Sequence, residues 1–459
     1  MKSYQADVVV IGAGIVGIAT AYYLKKFSSK LSVMLVDQLQ PMTYTSAQSG
    51  ENYRNWWSHP SMKRFTEHSI KLMEEISLET NDRIKLTRRG YLLATRDQDL
   101  SDIVDEIKNS YNQDLSGLDI HESLLRFHST KNPKQYLPPI SSRWQDAPDG
   151  VDVLQGQELI NKLFPSLDPA IRNIVHIRNA GMVDSQQMAS FMLERYKELG
   201  GKRLNAKVVD IQKTDNFSVR LDNSEHSISS VSVVNAAGPF IKDIAKMVEV
   251  NLPVDNILQQ KVAFPDIQKA IPRNLPFVVD LDEQEIDWQQ EDRDLLKEDT
   301  DFSWLTEIFP GSIHCRPEGG DNGNWVKLGW AFNKSTTRAL LEPKLDDHYP
   351  EIVLHGAARL NPALKIYYGA LPRKTIHYGG YYTKTKENWP LIGETAVDGF
   401  HINGAMSGFG SMAACAGGEL CAQSILGLKR PEYSKVFSLE RYRDREFMQS
   451  LSRFNEGIL

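Results

Sequence analysis

Ala6 to Gly17 reads ADVVVIGAGIVG, and the rest of the chain is read outward from it. Asp7 to Ile11 has strand length and is apolar past its first residue. Gly12, Gly14 and Gly17 form G-x-G-x-x-G, a weak signal by itself. Its context is demanding: a strand before, a helix after, and an acid closing the next strand. Ile15 to Lys26 supplies the helix, with Ile15, Ile18, Ala19, Tyr22 and Tyr23 near helical spacing. Leu31 to Val36 supplies the strand, closed by Asp37, 20 residues past Gly17. The first glycine permits the tight turn. The second lets backbone approach a pyrophosphate, and the third lets helix and strand pack closely. The helix N-terminus carries about half a positive charge, which favours phosphate. Asp37 can accept hydrogen bonds from ribose hydroxyls. The unit predicts a dinucleotide site without choosing between nicotinamide and flavin.

At about 150 residues per domain, a 459-residue chain makes two or three folding units. Apolar residues (41%) leave ample material for a large core, and a net charge of −6 without a basic stripe gives nucleic-acid binding no support. The three cysteines, Cys315, Cys415 and Cys421, form neither a disulfide framework nor a metal-ligand spacing, so no metal is expected. The N-terminus lacks a signal-peptide pattern. The uncharged stretch Val8 to Leu24 contains three glycines and two tyrosines, reads as strand, turn and helix, and no transmembrane segment is expected. A cytoplasmic location follows as the simplest expectation.

Ser61 to Thr80 reads as a long helix capped by Ser61, and Arg89 to Thr95 as a strand. Asp97 to Asn132 is charged and mixed, and Lys131 to Gly150 reads as a surface excursion or domain crossing. Gly181 to Gly200 is a loop and helix; Leu204 to Gln212, Phe217 to Leu221 and Val231 to Gly238 are strand-like. Lys261 to Phe264 and Trp325 to Phe332 are further strand pieces. Asp280 to Thr306 is an acidic, amphipathic insert, either a solvated helix or a lid. A glycine-rich turn at Gly404 to Gly410 precedes a final helix to Leu426.

Five segments resemble, in order, the D-amino acid oxidase and sarcosine oxidase superfamily of flavoproteins. They are VVVIGAGIVG with Asp37; TSAQSG at Thr45 to Gly50; AGMVDSQQMA with NAKVVDI at Asn205 to Ile211; VVNAAG at Val233 to Gly238; and YTKTKENWPLIGE at Tyr382 to Glu394 with the run from His401 to Gly427. The resemblance spans most of the chain, except roughly 97–150 and 265–310. It implies FAD as the cofactor. It places Ser46 and Ser49 beside pyrophosphate and flavin, the backbone of Val208 at adenine, and Gly238 near the adenosine half. Gly408, Gly410, Ser411 and Met412 fall at the start of the last helix, facing the flavin's pyrimidine edge. Reduction puts negative charge on that edge, which helix N–H groups stabilise. Two departures matter. Gly380 stands where covalently flavinylated relatives carry a cysteine, so FAD is expected to bind non-covalently. Met412 stands where the family carries a substrate-binding lysine, so that carboxylate contact is missing.

The resemblance also implies the reaction, oxidation of an amino acid or secondary amine at its C–N bond by hydride transfer to the flavin, with oxygen or another acceptor taking the electrons. Two alternatives stay open: a 2-hydroxy-acid or polyol dehydrogenase, and a flavin-binding regulatory or assembly protein without turnover. Arg54, four residues past Gly50, is the first candidate for an anionic substrate, and Tyr382 a second contact. Arg316 is a weaker candidate. Tyr381 is expected to face away from Tyr382 if their segment is a strand. Trp56 and Trp57 either wall a pocket or lie in the core, and His59 reads as a turn residue. The expected fold is α/β: a discontinuous Rossmann-like FAD-binding domain from 1–83, 151–249 and 375–459, and a substrate domain with a mixed, largely antiparallel sheet from 84–150 and 250–374.

Overall fold

A computed structural model describes residues 2–111, 124–127, 136–139, 143–222 and 226–454. Much of the expected excursion at 131–150, and much of 97–132, lies outside them.

The Lys2–Ile11 strand is the centre of the first sheet. It pairs in parallel with Val33–Asp37 on one side and His226–Asn235 on the other. Lys202–Asn205 extends the sheet beyond Val33–Asp37. Phe400–Gly404 runs parallel to the end of His226–Asn235, and the antiparallel strands Phe217–Leu221 and Val208–Lys213 complete that side. Val8, Val9 and Val10 are buried on both faces, as strands covered on two sides require. The Ile15–Phe27, Ser185–Glu198 and Gly410–Ile425 helices pack together on one face. All the parallel strands of this sheet end at the same edge, where open α/β sheets bind their ligands.

Among the described residues the second sheet has nine strands, in the order Ile376–Lys384, Asp255–Pro265, Trp325–Gly329, Ile313–Glu318, Phe277–Asp280, Tyr91–Thr95, Asn173–Ile177, Val151–Gln155 and Leu124–Phe127. Its pairings are antiparallel except between Phe277–Asp280 and Tyr91–Thr95. Three of its members differ from the division expected from sequence. Val151–Gln155 and Asn173–Ile177 were assigned to the nucleotide domain but pair here, Ile174 opposite Ala94 and Leu154. Ile376–Lys384 likewise joins this sheet along Asp255–Pro265. The pairings that decide membership, Tyr91–Thr95 with Asn173–Ile177 and Asp255–Pro265 with Ile376–Lys384, join segments far apart in sequence, so local pattern does not reveal them.

Alternation gives the second sheet two faces. Val262, Phe264, Cys315, Val326 and Leu328 enter a core closed by the Tyr349–Leu360 helix, and each large apolar side chain buried there contributes about 1.5–3 kcal/mol. Lys261, Arg316 and Lys327 occupy the opposite phase and face the first sheet.

The long helix runs from Pro60 to Glu79. Its N-cap is His59 rather than Ser61: the His59 ring nitrogen Nδ1 accepts from the Ser61 N–H at 3.1 Å, and Pro60 takes the first helical position, where its missing N–H costs nothing. The insert holds a solvated helix at Gln290–Glu298, and no residue of 280–306 lines the large cavity between the sheets, so the lid reading has no support. No described helix is long and apolar enough to cross a membrane.

Candidate functional site

A cavity of about 650 Å3 runs between the two sheets. At one end it is bounded by Gly12, Gly14 and Asp37; at the other by Gly380, Tyr382 and Lys261.

The Gly12 turn forms because two backbones must come close. Gly12 has φ of +110°, and a Cβ there would stand 2.3 Å from the Ala236 carbonyl oxygen. A Cβ on Gly17 would stand 1.8 Å from the Gly12 carbonyl oxygen. Gly17 does not line the cavity; it locks helix against strand, as its spacing implied. Gly14 borders the space itself, where a Cβ would sit 3.0 Å from Ser46 Oγ. Ser46 Oγ accepts from the Ile15 N–H at 3.0 Å. Asp37 accepts from the Ala13 N–H at 2.6 Å and from the Leu39 N–H at 2.8 Å. A carboxylate has about four acceptor sites, so two remain for hydroxyls in the cavity. This glycine cradle, with a carboxylate at its rim and a helix N-terminus behind it, suits a dinucleotide.

Most of the other expected contacts come together on the same cavity. Ser46, Ser49, Val208, Gly238, Gly408, Gly410 and Ser411 all line it. Ser411 Oγ donates to Ser49 Oγ at 2.8 Å, joining the Gly410–Ile425 helix to the loop after the second strand; a further short helix, Arg445–Leu451, follows the one expected to be final. Gly410 opens the Gly410–Ile425 helix, whose N-terminus meets the cavity. Met412 does not line it. Helical rotation turns Met412 into the core beside Ala413 and Phe409. Ala405 and Ser407, which lead into this helix, are non-glycine residues with φ of 56° and 44°. Both line the cavity, and such strain is held where surrounding structure over-determines it.

Tyr382 lines the cavity with its ring against Gly408, where a Cβ would sit 2.5 Å from the ring. Tyr381, expected to face away, also lines it, because the strand end passes along the cavity edge; its hydroxyl accepts from the Leu340 N–H at 3.1 Å. Gly380 lines it beside Gln48 and Thr45. Arg54 is not among the lining residues. Its guanidinium stacks 5.1 Å from the Trp57 ring centre and 6.0 Å from that of Tyr91, and Nε donates to the Trp56 carbonyl at 3.2 Å. Burial pulls its pKa down to about 10. Trp56 and Trp57 are core residues, Trp57 edge-on to Phe409 at 5.0 Å. His59 packs against Trp389, away from the cavity.

The inner face of the second sheet carries cations that sequence reasoning undervalued. Arg316 donates to the Gly50 carbonyl at 2.7 Å and pairs with Glu318 at 2.7 Å. Lys327 pairs with the same carboxylate at 2.9 Å. Burial, then the like charge of Arg316, pulls the Lys327 ammonium down to about 8, against the opposing pull of Glu318. Burial raises the Glu318 carboxyl, but Arg316 and Lys327 outweigh it and hold the group below its usual range. Lys261 was missed. It lines the cavity with its ammonium 5.5 Å from the Tyr382 ring centre. The available signal was a lysine inside the run QQKVAFP, whose alternate residues Val262 and Phe264 are core. Among the described residues no cluster of His, Cys, Asp or Glu is arranged to hold a metal ion.

A model of the DAO family, FAD dependent oxidoreductase, matches residues 7–424. The mitochondrial dimethylglycine dehydrogenase of Homo sapiens is 25% identical over 285 residues, covering 61% of this chain and 28% of that protein. Its Rattus norvegicus counterpart is 23% identical over 287 residues, covering 61% and 29%. The chain thus spans less than a third of the length of these curated relatives. Among solved structures, the L-proline dehydrogenase of P. horikoshii superposes with a TM-score of 0.70 at 19% identity, covering 96% of this chain and 99% of the other. The glycine oxidase of Geobacillus kaustophilus gives 0.67 at 15% identity, covering 95% and 99%. These structural likenesses establish the shared fold, and the family match over most of the chain establishes descent: this protein belongs to the DAO family of FAD-dependent oxidoreductases.

Proposed function

We propose that the protein oxidises the C–N bond of an amino acid or secondary amine, with FAD lying along the cavity between the sheets. The observation that carries this reading is the continuity of that cavity, from the glycine cradle at Gly12 and Gly14 to the polar pocket at Tyr382 and Lys261. The names of its relatives, dimethylglycine dehydrogenase, L-proline dehydrogenase and glycine oxidase, point to the same substrate chemistry.

In this reading Gly12, Gly14 and Ser46 hold the pyrophosphate and Asp37 the adenosine ribose. Val208 and Gly238 flank the adenosine half. Ser49, Gly408, Gly410 and Ser411 bound the flavin end. No cysteine or histidine is among the described residues lining the cavity, which supports FAD held without a covalent bond. Bound FAD supplies the two-electron acceptor for a substrate hydride. The substrate amine, bound neutral, gives up its α-hydrogen as hydride and becomes an iminium ion. Tyr382 would wall the pocket beside that carbon, and its ring is positioned by contact with Gly408. The Gly410 helix N-terminus offers N–H groups to negative charge developing at the end of the cavity. Oxygen or another acceptor would be the final oxidant.

The test is an anaerobic screen in which bleaching of the flavin absorbance is followed with sarcosine, other N-methyl amino acids, proline, D-amino acids, 2-hydroxy acids and polyols. Amines are expected to bleach it. Bleaching by hydroxy acids or polyols alone would replace this reading by the alcohol dehydrogenase one.

A further inference from the structure

We infer that Lys261 receives the substrate's carboxylate, and therefore that the substrate is an amino acid with a free carboxylate rather than a plain amine. The inference rests on the proposed function and narrows it.

Lys261 lies in the middle of the Asp255–Pro265 strand, opposite Gly329 on one side and Tyr378 on the other. The residue is 9% exposed. Its stem passes Gly50, where a Cβ would be 3.7 Å from Lys261 Cε. The ammonium ends over Tyr382, at the edge of the cavity. Among the described residues no carboxylate pairs with it and no acceptor takes its protons.

The neighbouring charges sharpen the point. Arg316 and Lys327 share the single carboxylate of Glu318. The next acid, Glu51, is turned towards Ser185, accepting from its N–H at 3.1 Å and its hydroxyl at 2.8 Å. His314, on the same face, has its pKa pulled down to about 3, chiefly by burial, and adds no positive charge. Arg316 and Lys327 thus have Glu318, with Glu51 acting on Lys327 from further off, and Lys261, which has no paired carboxylate among the described residues, reaches the cavity. An ammonium that meets the cavity with no counter-charge beside it is placed to receive an anion.

The cofactor's own anionic groups have other donors. The glycine turn and the N-termini of the Ile15–Phe27 and Gly410–Ile425 helices belong to the nucleotide sheet. Lys261 stands across the cavity on the other sheet. A molecule between them that carries an amine for oxidation and a carboxylate for Lys261 is an amino acid. An ammonium is a compact point charge with three rotatable donors, so it accepts a carboxylate without a fixed bidentate geometry.

The test compares FAD-loaded wild type with Lys261→Met and Lys261→Arg. Binding of acetate, propionate and benzoate, and of their amides, is measured by calorimetry and by perturbation of the flavin spectrum. Wild type should prefer the acids. Lys261→Met should weaken carboxylate binding roughly 10- to 100-fold, leave amide binding and flavin content unchanged, and raise KM for an amino acid more than it lowers kcat. Lys261→Arg should recover part of the loss. Equal carboxylate affinity in wild type and Lys261→Met, no preference for acids in wild type, or loss of FAD from Lys261→Met would each overturn the inference. Failure of the proposed function is separately visible, as wild-type flavin that no amine reduces.

Discussion

At its Gly12 end the cavity is walled by backbone; at its Lys261 end it is walled by side chains carried on a sheet. The first end needs the absence of side chains, because Gly12 and Gly17 are packed to distances that no Cβ tolerates. The second carries charged side chains on a face where Arg316 and Lys327 share Glu318 and Lys261 reaches the open space. A cofactor site built from a turn survives as a short sequence pattern. The carboxylate contact expected of a lysine at Met412, in the Gly410–Ile425 helix, is proposed here for Lys261, on a strand across the cavity.

The comparison breaks most visibly at the turn. Gly14→Val pushes two methyl groups into the space beside Ser46 and should abolish FAD binding while the far-ultraviolet circular dichroism stays folded; a variant that purifies yellow would contradict the cofactor placement. Arg96→Met tests whether the substrate sheet rests on buried charge. Arg96 bridges Asp168, Asp280 and Asp282, and Asp280 is fully buried. Removing the guanidinium should cost about 3–5 kcal/mol of stability in urea denaturation, because Asp280 is left buried without its cation.

Gly408→Ala joins the two ends. Its new methyl must displace the Tyr382 ring, so turnover should fall by about 10- to 100-fold with flavin content retained. Arg54→Met should lower stability rather than carboxylate affinity, because Arg54 stacks between Trp57 and Tyr91 away from the cavity lining.

The smallest effect is at the His59 cap. Burial pulls the His59 pKa down to about 4, below its unfolded value of about 6.5. The unfolded chain therefore binds the extra proton between these values, and stability falls as pH drops from about 6.5 to about 4, levelling below that. His59→Asn keeps a capping acceptor, should change stability at neutral pH by about 1 kcal/mol or less, and should flatten this acid-side slope in denaturation series.

What was legible in the sequence was what is local. Gly12, Gly14, Gly17 and Asp37 lie within one βαβ unit, so spacing alone orders them. The resemblance carried Ser49 and Ser411 to opposite ends of the chain, and the hydrogen bond between them joins those ends. The strands Val151–Gln155 and Asn173–Ile177 were misassigned because a strand's periodicity does not say which sheet it joins. Lys261 was passed over because a lysine in a strand reads as solvent-facing until the register puts Gly329 and Tyr378 beside it. His59 was passed over as a cap because histidine is an uncommon one, and Ser61 stood near.

The most direct test of the division between the two ends is a crystal structure of the FAD-loaded protein soaked with benzoate. The account predicts pyrophosphate oxygens on the Gly12–Gly14 turn and a carboxylate oxygen within about 3 Å of Lys261 Nζ, on the Tyr382 side of the cavity. A carboxylate bound elsewhere, with Lys261 Nζ in contact with the cofactor instead, would contradict it.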